Sequence, residues 1–416
     1  VFPLLLLAGL SLTPVELGAK VLDARVADID GDGKEDIIAL TATEILFLPG
    51  GRLPAIRRPA PPLSVIGKGL LGVVRDGRYR AVEEPFGAWK EGAPGAASLL
   101  ALLGRGAPAL LVSPGDLDGD GRDDPVLCGP LGFETPAGLV PLEPAASLQI
   151  ERNEAFAVEY RIPPPVVGSW TGAPRELVLF DDEAVRAFRG AEEAEKTPLP
   201  LQRRDEAAAS IRRNLVFVRD VDADGRLDLL VVVASGETQL FAKFEATARL
   251  FRGGRIYDTA QKSFFRPTSF LKVAGVLLET SLVDVDGDRD LDLVLCTIDI
   301  SIFAAATATA PATYHVFRWG PEGYERKPAW TYEDEIPLAA FQADPEAPVR
   351  FLPDYDRDGK PSALVIGEEV RELVFDGKVF AAGPAVRAPG ARLPAVGAQR
   401  AAVPYDKGVI VVEAAR

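Results

Sequence analysis

Residues 220–228 read Asp220-Val-Asp222-Ala-Asp224-Gly225-Arg-Leu-Asp228, set between the apolar runs LVFV (215–218) and LLVVV (229–233). Carboxylates at alternate positions around a glycine suit a tight loop, while unbroken apolar runs of this length suit strands covered on both faces. Four further segments keep the same spacing, and internal repetition of this kind organises a whole chain. They are Asp28-Ile-Asp30-Gly-Asp32-Gly33-Lys-Glu-Asp36, Asp116-Leu-Asp118-Gly-Asp120-Gly121-Arg-Asp-Asp124, Asp284-Val-Asp286-Gly-Asp288-Arg289-Asp-Leu-Asp292 and Asp354-Tyr-Asp356-Arg-Asp358-Gly359-Lys-Pro-Ser362.

A second element follows: an apolar-aromatic strand that ends at a glycine turn. Its instances are LFLPGG (46–51), AFRG (187–190), LFRGG (250–254), VFRWG (316–320) and VFDG (374–377). From the first aspartate to the phenylalanine the offset is 19 residues for Phe47, 21 for Phe375, 31 for Phe251 and 33 for Phe317, so two units carry longer hairpins. Residues 172–181 and 397–406 repeat the pattern without an acidic loop. Units therefore begin near residues 28, 116, 169, 220, 284, 354 and 394. The hairpin pattern at 65–81 is either an elaboration of the first unit or an eighth unit.

Repeats of this length, each holding several strands, predict an all-β fold, a β-propeller of seven blades with eight as the alternative. One small sheet cannot cover both of its apolar faces, but stacking blade on blade around an axis covers them. The last unit runs out before a full outer strand, and residues 11–17 are expected to supply it and close the ring. Residues 202–213 (QRRDEAAASIRR) are expected to form one short surface helix.

Carboxylates at positions one, three and five of a loop, with glycine at six, build an oxygen cage for a hard cation, and calcium's flexible shell fits better than magnesium's. Position seven can add a carbonyl and the position-nine aspartate can close the shell. An EF-hand needs a glutamate at position twelve and helical flanks, whereas Ala39, Leu127, Val231, Leu295 and Val365 stand there between strands. In the fourth loop Arg289 replaces the glycine, and in the fifth Ser362 replaces the closing carboxylate. Five calcium ions would take the formal charge from −15 to −5. Without metal the carboxylates of each loop repel one another.

The D-x-D-x-D-G-x-x-D loops between apolar strands resemble the FG-GAP/VCBS-type calcium-binding propeller repeats, related to the integrin α-subunit head, over most of residues 20–416. The resemblance implies that Asp28, Asp30, Asp32 and Asp36 ligate one calcium. It implies the same for Asp116, Asp118, Asp120 and Asp124, for Asp220, Asp222, Asp224 and Asp228, and for Asp284, Asp286, Asp288 and Asp292. Asp354, Asp356 and Asp358 form the fifth set. A seven-bladed ring with structural calcium is implied as well. No single activity is, because such propellers serve adhesion, scaffolding and some enzymes.

Composition narrows the function. Asp and Glu outnumber Lys and Arg by 61 to 46 in 416 residues, which disfavours a dedicated nucleic-acid binder. The one histidine, His315, excludes mechanisms that need several imidazoles and is expected to be structural. Cys128 and Cys296 hold equivalent places in different units and are expected to be buried free thiols. Gly67-Lys-Gly69-Leu-Leu-Gly72 matches a dinucleotide fingerprint, but a hairpin pattern follows where a helix is required. The chain holds no Met, and residues 1–10 read as the remnant of a signal peptide ahead of one domain over 11–416. No stretch reaches transmembrane length without a charge or a breaker.

Aromatic and basic residues gather in the two longer hairpins: Phe251, Arg252, Arg255, Tyr257, Phe264, Phe265 and Arg266, then Phe317, Arg318, Trp319, Tyr324, Arg326 and Trp330. Most are expected to pack between units, with these insertions and residues 52–110 as the places to look for a partner site. The expectation is a secreted bacterial protein of the periplasm, cell surface or exterior that binds a glycan or protein partner in adhesion or scaffolding. No catalytic residue stands out, and a calcium-dependent polysaccharide lyase or hydrolase on the same scaffold is the alternative.

Overall fold

The computed structural model describes residues 9–27, 34–41, 44–59, 72–75, 78–81, 90–91, 110–115, 117, 124–129, 132–135, 138–141, 149–152, 158–161, 165–180, 184–200, 210–237, 244–299, 309–337 and 347–415. Among them the fold is all-β and propeller-like, built mainly from four-stranded antiparallel sheets whose strands, in all but one, follow in chain order. Unit one comprises Val21–Ala27, Asp36–Thr41, Glu44–Leu48 and Ile56–Pro59; unit two comprises Leu110–Gly115, Asp124–Gly129, Gly132–Thr135 and Gly138–Pro141. Unit three runs through Val166–Gly168, Glu176–Phe180, Ala184–Arg189 and Glu192–Pro198, and unit four through Ser210–Arg219, Asp228–Glu237, Glu245–Phe251 and Ser269–Ala274. Unit five holds Val276–Val283, Asp292–Ile298, Thr309–Phe317 and Trp330–Pro337, and unit six Val349–Leu352, Ser362–Ile366, Glu369–Phe375 and Phe380–Arg387.

Unit seven takes three strands from the C-terminal end, Ala395–Val396, Arg400–Tyr405 and Gly408–Ala414, and its fourth from Leu10–Glu16. Leu10 lies opposite Ala414 and Glu16 opposite Gly408, so the two ends of the chain share one sheet. Leu10, the last residue of the stretch read as a signal remnant, already opens this strand; residues 1–8 lie outside the described residues.

The second strands show why the sheets stack. In Asp228–Glu237, Leu229, Val231 and Val233 pack with Trp170, Val178 and Val185 of unit three. Leu230 and Val232, on the opposite face, pack with Leu277, Leu293 and Leu295 of unit five. Period-two alternation in a run that is apolar throughout thus feeds two neighbours at once. Each such side chain contributes about 1.5–3 kcal/mol on burial. Val294, Cys296 and Ile298 do the same between units five and six, and Ala401 and Val403 between six and seven. Val409 and Val411 pack against Val21, Ile37 and Leu46, so unit seven meets unit one.

One expectation fails. Residues 210–213, read as the end of a helix, extend the first strand of unit four opposite Glu237–Ala234. Pairing with a long neighbouring strand overrides the helix-favouring composition of that stretch; residues 202–209 lie outside the described residues. Within 65–81 the described part is the hairpin Gly72–Arg75 with Arg78–Ala81, joined by Lys90–Glu91 in a three-stranded sheet. No described helix is long and apolar enough to cross a membrane.

Candidate metal centres

The acidic loops join the first and second strands of their units. Loops 220–228, 284–292 and 354–362 are described in full. Asp28, Asp30, Asp32, Asp116, Asp118 and Asp120 lie outside the described residues, as does the side chain of Asp124.

Position one ties the loop. Asp220 accepts the N–H groups of Asp224 at 3.2 Å and Gly225 at 3.0 Å. Asp284 accepts those of Gly287 at 2.8 Å and Arg289 at 3.0 Å, and Asp354 those of Asp358 at 3.1 Å and Gly359 at 2.9 Å. These bonds demand left-handed backbone at positions four and six. Ala223 and Gly225 have φ of 50° and 84°, Gly287 and Arg289 of 75° and 81°, Arg357 and Gly359 of 58° and 72°. Arg289 therefore adopts the conformation for which glycine is the usual residue.

Position three points inward. The Asp222 and Asp286 side chains keep 4% and 5% of their exposure, yet Asp222 Oδ1 and Asp286 Oδ1 are buried without a hydrogen-bond donor. Asp356 Oδ1 is buried in the same way. A buried carboxylate oxygen with no donor is costly, and a bound cation would satisfy it.

Position nine ties two elements together. Asp292 accepts the N–H of Val285 at 3.1 Å and that of Trp319 at 2.8 Å, and Asp228 those of Val221 at 3.0 Å and Gly253 at 2.6 Å. Asp36 accepts the N–H of Gly50 at 2.8 Å. Each carboxylate thus pins the aromatic-glycine turn against the start of its own second strand, which explains why the two sequence elements recur together.

The ligand oxygens of Asp220, Asp222 and Asp228 lie within 4.8 Å of one another, as do those of Asp284, Asp286 and Asp292, and those of Asp354, Asp356 and Asp358. Each set could hold a metal ion. Asp224 and Asp288 stand outside these groups, and each accepts a backbone N–H two residues ahead. Burial, reinforced by neighbouring carboxylates, pushes Asp292 up to about 7 and Asp228 and Asp356 up to about 6. Burial also raises Asp220, Asp284 and Asp286.

Two cations reach position three from the aromatic-glycine turns. Arg252 pairs with Asp222 through Nη2, and Arg318 Nη2 lies 2.5 Å from Asp286 Oδ2. The guanidinium of Arg252 stands 5.6 Å from the Trp319 ring, and that of Arg318 5.6 Å from the Trp330 ring. These contacts span unrelated stretches of sequence and were not legible in it.

Unit three shows the loop-free solution. Glu176, fully buried, opens its second strand and accepts the N–H groups of Trp170 at 2.8 Å and Thr171 at 2.7 Å, while Arg189 Nε lies 3.1 Å away. Burial pushes its carboxyl up, but the bonds from Thr171, Trp170 and Arg189 outweigh it and hold the group below the usual range. In unit seven Arg400 opens the equivalent strand, and Glu35 of unit one accepts the N–H groups of Ala398, Gln399 and Arg400.

The connections form a row. Leu227 donates to Ser169 O at 2.8 Å, Leu291 to Val221 O at 2.7 Å, and Asp354 to Asp284 O at 3.1 Å. Gly287 permits the last approach, because a Cβ there would lie 2.7 Å from Asp354 Oδ2.

The remaining candidates are structural. Cys296 is a buried free thiol, and burial pushes its pKa up to about 12; the Cys128 side chain lies outside the described residues. His315 meets Thr297 Oγ1 at 3.3 Å in a strand. Phe251, Phe317, Trp319 and Tyr324 are buried between units, whereas Phe264, Phe265 and Phe270 are exposed. Most of 52–110 lies outside the described residues.

No family model matches the chain, and no curated protein matches it. Among solved structures, the chain is similar to the V. cholerae biofilm matrix protein Bap1 at 12% identity, covering 98% of this chain and 91% of that one, with a TM-score of 0.39. BamB from Moraxella catarrhalis matches at 10% identity over 95% of this chain and 100% of that one, TM-score 0.41. Virginiamycin B lyase from Staphylococcus aureus matches at 8% identity over 97% and 99%, TM-score 0.34. At these scores the likenesses carry no functional argument.

Proposed function

We propose that this chain is a secreted, calcium-stabilised β-propeller of the FG-GAP/VCBS kind, seven-bladed and closed by the N-terminal strand, which binds a glycan or protein partner as an adhesion or scaffolding module. The observation that carries the reading is the recurrence of one acidic loop at the same place in unit after unit, with the position-three Oδ1 buried and undonated in the three loops described in full. An all-oxygen donor set in a flexible loop suits calcium. Its ligands would be Asp220, Asp222 and Asp228, then Asp284, Asp286 and Asp292, then Asp354, Asp356 and Asp358, with the loops at 28–36 and 116–124 as two further sites. Calcium there supplies charge neutralisation and cross-links the start of each unit that carries an acidic loop. The ion is structural, and partner recognition belongs to the exposed connections.

The hairpin of unit four is the surface best equipped for that role. Phe264, Phe265 and Phe270 are 44%, 47% and 55% exposed, which is costly unless something covers them. Arg255, Lys262 and Arg266 are exposed beside them in the sequence, on a chain of net charge −15. Tyr257 braces Phe264 edge-on at 5.1 Å. Aromatic and cationic side chains on a braced hairpin suit an anionic glycan, with rings for the sugar faces and charges for the acid groups.

Affinity electrophoresis through alginate, heparin and neutral glucan gels tests this, with calcium and with chelator. Retardation in the acidic gels that needs calcium, and that Phe264→Ala with Phe265→Ala removes, is the expected result. Unchanged migration in every gel would discard the glycan reading and leave the protein partner. Shortened polymer in the same lanes would favour the enzyme alternative.

A further inference from the structure

We propose that Arg252 and Arg318 are tethered cations that compete with the divalent ion for the position-three carboxylates, so that of the three described loops 354–362 fills first and 220–228 and 284–292 fill at higher calcium. This rests on the reading of the loops as calcium sites. Arg252 pairs with Asp222 and Arg318 with Asp286, each carboxylate being almost wholly buried. The loops are thus partly neutralised before any ion arrives. A calcium ion on Asp222 or Asp286 would sit beside the guanidinium, and two cations on one carboxylate repel in a site that water screens poorly.

Each arginine has a way out to solvent, since both side chains keep 40% of their exposure. Arg252 is held by the stack on Trp319 and by its pairs with Asp222 and, at 3.9 Å, Asp224; Arg318 is held by the stack on Trp330 and its pair with Asp286. Arg252 belongs to unit four and Trp319 to unit five, so release of this arginine by calcium alters a contact between units.

Loop 354–362 supplies the internal comparison. In unit four Phe251 lies opposite Leu229, one residue after the position-nine site, and Arg252 follows. In unit six Leu373 lies opposite Ala363, the matching residue, and Val374 follows. The sequence motif VFDG places Asp376 after its phenylalanine, so neither alignment gives a cation. Lys360 lies 3.0 Å from Asp358, the most exposed of this loop's three grouped carboxylates, so the cation here sits at position five and not at position three, where the buried Asp356 Oδ1 stays without a donor.

The test is a calcium titration of the whole protein by calorimetry, which reads all the transitions, with tryptophan emission alongside, because Trp319 and Trp330 report the two stacks. Arg252→Gln and Arg318→Gln are each expected to tighten one transition about fivefold or more, the lower end of ordinary coupling between sites. Arg252→Lys, which keeps the charge, should stay near the wild type. Asp222→Asn should abolish the transition that Arg252→Gln tightens, and Asp356→Asn the tightest of the three. Wild-type binding with unchanged or weakened affinity in both glutamine variants would overturn this inference and leave the calcium reading standing. Absence of calcium binding by the wild type and the variants alike would overturn both.

Discussion

The backbone N–H of Trp319 donates to Asp292 Oδ1 at 2.8 Å across 27 residues, joining the acidic loop of unit five to the aromatic turn that closes its third strand. The other oxygen of Asp292 accepts Val285 N–H at 3.1 Å. Asp292→Ala would strand two buried amides and is expected to cost about 2–4 kcal/mol, read by urea unfolding. A cost below about 1 kcal/mol would contradict this role.

The pH dependence has a definite sign. Without metal, burial raises Asp228 to about 6 and Asp292 to about 7 from 3.8. A carboxyl raised in the native state adds stability that is complete below the unfolded value and is lost as pH climbs through the native one. The metal-free protein should therefore melt at higher temperature as pH falls from about 8 to about 5. With calcium the slope should reverse, because the ion needs both groups ionised. Parallel slopes with and without calcium would refute the assignment of these two aspartates.

The strand Leu10–Glu16 holds the chain ends together, and Leu10 N–H donates to the buried Glu372 Oε1 at 2.8 Å. Leu10 and Val15 are 4% and 8% exposed. Removing residues 1–16 should cost about 4 kcal/mol from these two side chains alone. Unchanged unfolding of the truncated chain would show that unit seven stands on three strands.

Arg289 occupies left-handed backbone, with φ of 81°, where Gly225 and Gly359 stand in the neighbouring loops. Arg289→Gly should raise stability in chelator by about 1 kcal/mol, and Gly225→Arg should lower it by a similar amount. A loss from Arg289→Gly would mean that its side chain, not its backbone, matters.

What the sequence made legible was local. The Asp220 and Asp222 carboxylates sit two residues apart in one loop, and the runs flanking them alternate into two cores, so both loop and sheet could be read from contiguous residues. The role of Leu10–Glu16 was legible from what unit seven lacked. The Arg252–Asp222 pair was not, because 30 residues separate its partners and either side chain alone reads as ordinary surface charge. Glu176 was missed because a lone glutamate after proline and arginine carries no motif; its role depends on the bonds it receives from Trp170 and Thr171. The helix expected over 202–213 failed at 210–213 because the partner strand, reaching Glu237, was longer than the apolar run that announced it.

The most direct test of the central claim is scanning calorimetry of the whole protein in calcium, in magnesium and in chelator. Calcium should raise the melting temperature by roughly 10 °C or more over chelator, with magnesium giving far less, since each ion held about a hundredfold above its dissociation constant adds about 2.7 kcal/mol. Identical melting in all three conditions would contradict the account, leaving the acidic loops as solvated turns.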